Sequence, residues 1–146
     1  MNHAEHAIEL FKNDSTCAQA ILSTYAEHFG LDKKTAHKLA TGLGGGIGYK
    51  QYTCGAINAG AIVLSLKYGS EHFSEIEKKQ NTYAKVNKFL TAMEDKLGSS
   101  SCSELLGIPI QTEEQREQGK QDGLFDRVCT NCIRAVAEYL DHEIQK

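Results

Sequence analysis

Apolar residues recur at intervals of three and four along nearly the whole chain, and this periodicity restricts the fold more than any other feature. In AEHAIELFK it puts Ala4, Ala7, Ile8 and Phe11 on one face. In CAQAILSTYAEHF it aligns Ala18, Ile21, Leu22, Tyr25 and Phe29, and Gly30 then stops the helix. KKTAHKLATGL reads as a shorter helix running out into glycines. Thr53 to Tyr68 is apolar nearly all round, as a central buried helix would be, and Gly69 closes it. SEIEKKQNTYAKVNKFLTAMEDKLG is long and amphipathic, with Ile76, Tyr83, Val86, Leu90, Met93 and Leu97 inward. SELLG makes a single turn, and DRVCTNCIRAVAEYLDHEI closes the chain with Asp126 as its N-cap. Alternating runs are few and Pro109 is the sole proline, so a sheet is disfavoured. The pattern predicts an all-α, single-domain bundle of five to six helices over residues 1–146.

A chain of 146 residues can bury about two thirds of its unfolded surface without staples. The longest apolar stretch, Ala59 to Leu66, is broken by Gly60 and Ser65 and falls short of the roughly 18 residues a bilayer needs, so no membrane span is expected. Net charge is −3, with Lys and Arg scattered among acids in EIEKKQ and EEQREQGKQD. No basic stripe argues for nucleic acid, and these mixed runs read as solvated helix faces. The opening MNHAEHAIELFKND has acids and histidines where a secretory signal has a basic region and an apolar core, which predicts a cytoplasmic protein. His3 and His6 form H-x-x-H without the spacing of a zinc protease.

Five cysteines are the unusual element. A cytoplasmic chain of this size does not need disulfides, and an odd number cannot pair completely. The plain alternative is buried small hydrophobes with an idle thiol or two. Position argues for more. Cys17 follows Asp14-Ser15-Thr16, Cys54 follows Thr53, Cys102 follows Ser99-Ser100-Ser101, and Cys129 comes three residues after Asp126. Each is expected in the first turn of a helix, where unpaired N–H groups and the positive end of the macrodipole favour a thiolate. If those helix starts converge, the four sulfurs form an anionic site that needs a cation, a cluster or paired disulfides. Cys129 and Cys132 make a C-x-x-C, but no second pair supports a zinc ribbon and no strand supports a thioredoxin-type motif.

The glycines point to the same place. Gly55 and Gly60 remove side chains beside Cys54, and TGLGGGIGYKQY brings Gly42, Gly44, Gly45, Gly46 and Gly48 just ahead of it. Neither nucleotide-loop pattern matches this run. Two readings stay open: a helix C-cap with a flexible connection, or a wrap around a cofactor in which Gly45, Gly46, Gly55 and Ala56 lie against it. Cys54 is expected to be the most thiolate-like of the five, with backbone N–H donors outweighing the opposing effect of burial.

With STCAQAIL, GLGGGIG, TCGAINAG, SLKYG, CSELLG and VCTNCIRAVAEYL in place, the chain resembles the small bacterial redox-active proteins named for their C-GCAxxG-C-C cysteine pattern. The resemblance covers nearly the whole chain. It departs at Ala59, where the family has glycine and this chain has Gly60 one place later, and at Cys132, an extra thiol beside the matching Cys129. It implies an all-α fold and redox activity carried by Cys17, Cys54, Cys102 and Cys129. Those four would bind an iron–sulfur cluster, two-iron in a related cytochrome domain, or cycle between thiol and disulfide without a cofactor. As a ligand Cys132 is the alternative to Cys129; in disulfide chemistry it is a resolving partner for Cys129, a pair that a regular helix bridges only with distortion. The implied partner is a redox protein, and a homodimer is left open. Two other classes compete: a structural zinc module using the same thiols, and a helical interaction protein with incidental cysteines that docks a partner along residues 74–97.

Overall fold

The computed structural model describes residues 2–146 and places them in eight helices. These are α1 (His3–Lys12), α2 (Cys17–Tyr25), α3 (Lys33–Ala40), α4 (Gly55–Tyr68), α5 (Ile76–Leu97), α6 (Cys102–Leu106), α7 (Glu113–Gln121) and α8 (Leu124–Ile144). Short 3-10 turns extend α2 over Ala26–Phe29 and α3 over Thr41–Leu43, and Gly44–Ile47 forms an irregular glycine turn. Among the described residues the sole extended pairing is one antiparallel bridge between Thr53 and Ser101, so the architecture is all-helical. No described helix is long and apolar enough to cross a membrane.

Side-chain caps mark most helix starts. Asn2, Asp32 and Ser101 accept from the N–H three residues on, and Thr16 and Thr112 form reciprocal capping boxes with Gln19 and Gln115. Eight helices replace the expected five to six for an identifiable reason. SELLG is a capped helix of its own, and α7 is built from charged residues with only Gly119 buried, so it carries no apolar stripe. The last helix also begins earlier than expected. Gly123, in a left-handed conformation, is its N-cap, and Asp126 lies inside its first turn.

α4 is the axis of the molecule, packed by α2, α5 and α8. It buries residues on every side, including Ala56, Ile57, Ala59, Val63 and Leu64. Gly60 faces both α5 and α8: a Cβ there would stand 2.5 Å from Phe89 Cζ and 3.0 Å from Val136 Cγ1. Its missing side chain therefore serves helix packing, away from the thiols. The face of α5 differs from expectation. Ile76 and Tyr83 are 65% and 60% exposed, and Thr82, Phe89 and Met93 are the residues buried. Residues 76–81 are exposed all round, because the first turns of α5 run past the core. Tyr25 ties α2 to α8 through hydrogen bonds from its hydroxyl to the Ala137 carbonyl (3.0 Å) and Asp141 Oδ1 (2.8 Å).

Candidate functional site

Three helix starts meet at the end of α4. Cys17 is the first residue of α2, Cys54 is the N-cap of α4, and Cys102 is the first residue of α6. Glycines are the points of contact. A Cβ on Gly55 would fall 2.7 Å from Cys17 Sγ and 2.7 Å from the Leu43 carbonyl oxygen. One on Gly46 would fall 2.7 Å from Cys102 Cβ and equally close to Gln51 Cα and Tyr52 N. The missing side chains let three backbones approach to a distance no other residue permits.

The segment ahead of Cys54 reaches this position by an uncommon route. Gly45, Gly46, Ile47, Gly48, Tyr49 and Gln51 all have φ between 57° and 72°. For Ile47, Tyr49 and Gln51 the left-handed conformation costs about 1–2 kcal/mol each, so surrounding contacts must enforce it. Gln51 and Tyr52 N–H groups close back on the Gly45 and Gly46 carbonyls at 3.0 and 2.9 Å. The emerging strand then pairs with residues 100–103: Cys54 N–H donates to Ser100 O (2.8 Å) and Cys102 N–H to Tyr52 O (2.6 Å). That exchange fixes Cys54 beside Cys102.

Gln51 is the fastener. Its side chain is buried, donating to the Ile108 carbonyl at 2.9 Å and accepting from Ile110 N–H at 2.8 Å and Gln111 Nε2 at 3.1 Å. Tyr49 is held from the other side by the Arg116 guanidinium, 4.0 Å above its ring, which also donates to the Ile110 and Gln111 carbonyls. Neither residue was singled out as a site residue from sequence. Gln51 carries no signal there beyond its place between the glycines and Cys54, whereas α7, which supplies Arg116, announces itself by the Thr112-x-x-Gln115 capping box.

All five cysteines are unpaired thiols and all five line one cavity of about 500 Å³. Gly45, Gly46 and Gly55 line it as well, while Ala56 is fully buried behind. Cys129 corrects an expectation, since it lies in the second turn of α8 and not at a helix start. It and Cys132 reach the cavity from the flank of that helix, so three thiols come from helix starts and two from a helix side.

The thiols differ sharply in acidity. Those of Cys132 and Cys17 face the Cys54 sulfur, as do the amides of Ile57 and Ala56, and together they hold Cys54 well below the ordinary thiol range against the opposing effect of burial. No single short cap bond closes on Cys54. Its acidity comes from several longer-range donors converging on one sulfur at a helix start. Cys17 and Cys132 are pushed up, first because each donates to Cys54 and then by burial. Burial, with the nearby Cys54 charge, raises Cys102 to about 11 and Cys129 to about 12. Among the described residues, no group of three or more His, Cys, Asp or Glu side chains is arranged to hold a single metal ion.

No curated protein and no solved structure matches the chain. The sequence profile of the family described as "Putative redox-active protein (C_GCAxxG_C_C)" matches residues 15–143, and on that match the chain belongs to this family.

Proposed function

We propose that the protein is a dithiol–disulfide redox protein in which Cys54 is the attacking thiolate and Cys17 and Cys132 are the thiols able to resolve it. The observation that carries the reading is the cavity-lining Cys54 sulfur at the start of α4, faced by the thiols of Cys132 and Cys17 and held by them well below the ordinary thiol range. The Cys54 thiolate attacks one sulfur of a substrate disulfide, forming a mixed disulfide and releasing one substrate thiolate. Cys132 or Cys17 then gives its proton to solvent and displaces the second substrate thiol. Two electrons pass to the substrate, and the protein is left with one disulfide. Loss of negative charge at Cys54 in the first step removes the stabilisation that held the proton on its neighbour, so the resolving thiol is released when it is needed. Cys102 and Cys129, which stay protonated at neutral pH, stand outside this exchange.

The test is oxidation of the reduced protein by one equivalent of a small disulfide, followed by peptide mapping without reductant. The expected product links Cys54 to Cys132 or Cys17. A Cys102–Cys129 bridge with Cys54 still free would refute the assignment.

A second reading is favoured by the common cavity. Five thiols on one space supply the four-thiolate donor set of an iron–sulfur cluster, with Cys17, Cys54, Cys102 and Cys129 as ligands and Cys132 as the alternative to Cys129. Bound there, a cluster would supply one-electron transfer. Cys54, held well below the ordinary thiol range, is the ligand whose deprotonation on binding would cost least. Visible absorption with stoichiometric iron and sulfide after anaerobic purification would favour this reading, and a colourless active dithiol the first.

A further inference from the structure

The cavity in front of Cys54 is bounded by more than sulfur. One wall is apolar, formed by Phe11, Leu105, Leu106, Ile110 and Phe125. The rim carries both signs of charge. Lys12, Arg116 and Lys120 are its cations, and Asp14, Glu113, Glu117 and Asp126 its carboxylates. Among the described residues none of these side chains enters a salt bridge, although five such pairs form elsewhere on the molecule. Charges of opposite sign arranged around one opening and left unpaired with each other suit a ligand that carries both signs.

The thiols themselves are recessed. Cys54 is 7% exposed, Cys17 8% and Cys132 2%. A disulfide on the surface of a folded protein cannot bring its sulfur in line with Cys54 unless one partner opens. A volume of about 500 Å³ lies within the few hundred to 1,000 Å³ typical of small-molecule sites.

Resting on the dithiol reading, we propose that this cavity takes a low-molecular-weight disulfide bearing both ammonium and carboxylate groups, of the amino-acid or small-peptide type. Arg116, fixed over Tyr49 and by two carbonyls, offers a preorganised guanidinium for a carboxylate, Lys120 a second cation, and Glu117 a partner for the ammonium. The apolar wall covers the methylene and sulfur atoms between the charged ends. The reaction is RSSR plus two protein thiols giving two RSH and one protein disulfide: Cys54 sulfur bonds to one R–S, the other R–S leaves, and the resolving thiol displaces the second.

The experiment compares single-turnover rates of the reduced protein with four disulfides: cystine (both charges), cystamine (cationic), 3,3′-dithiodipropionate (anionic) and 2-hydroxyethyl disulfide (neutral). Each rate is divided by that of the same disulfide with dithiothreitol, a neutral thiol that forms none of the four, which removes intrinsic reactivity. Cystine should lead the other three by about tenfold, the effect of one additional charge-assisted contact. Lys120→Gln and Glu117→Gln should each erase most of that lead, with melting curves confirming that these rim variants fold. Equal normalised rates, a lead for the cationic or anionic disulfide, or faster reaction with the disulfides of folded insulin would overturn the proposal while leaving the dithiol reading intact. Failure of all four disulfides would overturn both.

Discussion

The two hydrophobic clusters on either side of the thiol cavity are built in different ways. The larger, formed mainly by α1, α2, α4, α5 and α8, is rich in alanine and holds Ile21, Leu22, Ile57, Phe89 and Leu140 essentially without solvent contact. The smaller consists of Cys102, Leu106, Ile110 and Leu124, with Phe125, Val128 and Cys129 packed against it. Cys17, Cys54 and Cys132 belong to the first, Cys102 and Cys129 to the second or its edge. The reactive trio is thus set in the rigid body, while the other two thiols ride on a small cluster fastened by Gln51, the left-handed loop and Arg116. A redox site needs its attacking and resolving sulfurs at fixed separation and needs access for a substrate. A large core can supply the first, and a weakly held flank can supply the second.

The largest expected contrast is chemical. Cys102, raised to about 11, gains reactivity only as pH climbs towards that value. Cys54, held below its ordinary value, keeps its thiolate as pH falls and loses it only on passing through the depressed pKa. At pH 7 the thiolate fraction at Cys102 is about 10⁻⁴, and although a more acidic thiolate is a weaker nucleophile, iodoacetamide should still label Cys54 about tenfold faster or more once both are equally accessible. Labelling in mild urea, read site by site by mass spectrometry, checks this. A rate at Cys54 that falls tenfold per pH unit below 8.5 would contradict it.

Next comes the energetic contrast. Phe89→Ala removes a fully buried ring from the large cluster and should cost about 3–5 kcal/mol, whereas Leu106→Ala should cost nearer 2. Urea unfolding measures both. Equal losses would mean that the small cluster is as much a part of the core as the large one.

The loop should respond more strongly than its size suggests. Gly46→Ala forces an L side chain into φ 69° and sets its Cβ against Cys102 and the backbone of residues 51 and 52. Strain and overpacking together should cost about 2–4 kcal/mol and expose Cys102 to labelling, with Cys54 less affected. Gln51→Ala leaves the Ile110 N–H and the Ile108 carbonyl without their partner. A loss of about 1–3 kcal/mol is expected, with faster amide exchange at Ile110 and unchanged exchange in α4.

These contrasts track what could be read from sequence and what could not. Elements of the large cluster were legible, because each helix there has an apolar stripe that must be buried. The outer turns of α5 misled for the same reason: Ile76 and Tyr83 continue the stripe beyond the point where anything covers them. Around the small cluster the signals were of another kind. α7 has no stripe, α8 starts at Leu124 because its first apolar contact is with this cluster, and Cys129 moved into the helix accordingly. The glycines mark close approach beside Cys54 in the sequence, but not which neighbours Gly46 and Gly55 meet. That is a tertiary fact, and no local pattern encodes which backbone a missing side chain will meet. Gln51 was invisible because its partners lie 57 to 60 residues away.

The smallest expected effect is at Arg116, and it separates two ways of holding the flank. The guanidinium lies 4.0 Å over Tyr49 and donates at 3.0 and 3.1 Å to the Ile110 and Gln111 carbonyls, so one planar group clasps the left-handed loop to the 108–111 segment. Arg116→Lys keeps the charge but loses the planar fork, and a half-exposed cation–π contact is worth only about 0.5–1 kcal/mol. Global stability should therefore fall by about 1 kcal/mol, close to the precision of a urea titration. The sharper readout is local. If the clasp restrains the loop, exchange at Gln51 and Tyr52 amides, which bond to Gly45 and Gly46, should quicken severalfold in Arg116→Lys while Ile57 and Val63 in α4 stay unchanged. If exchange quickens equally in both places, the flank opens only when the whole protein does, and the division between a rigid core and a yielding flank fails.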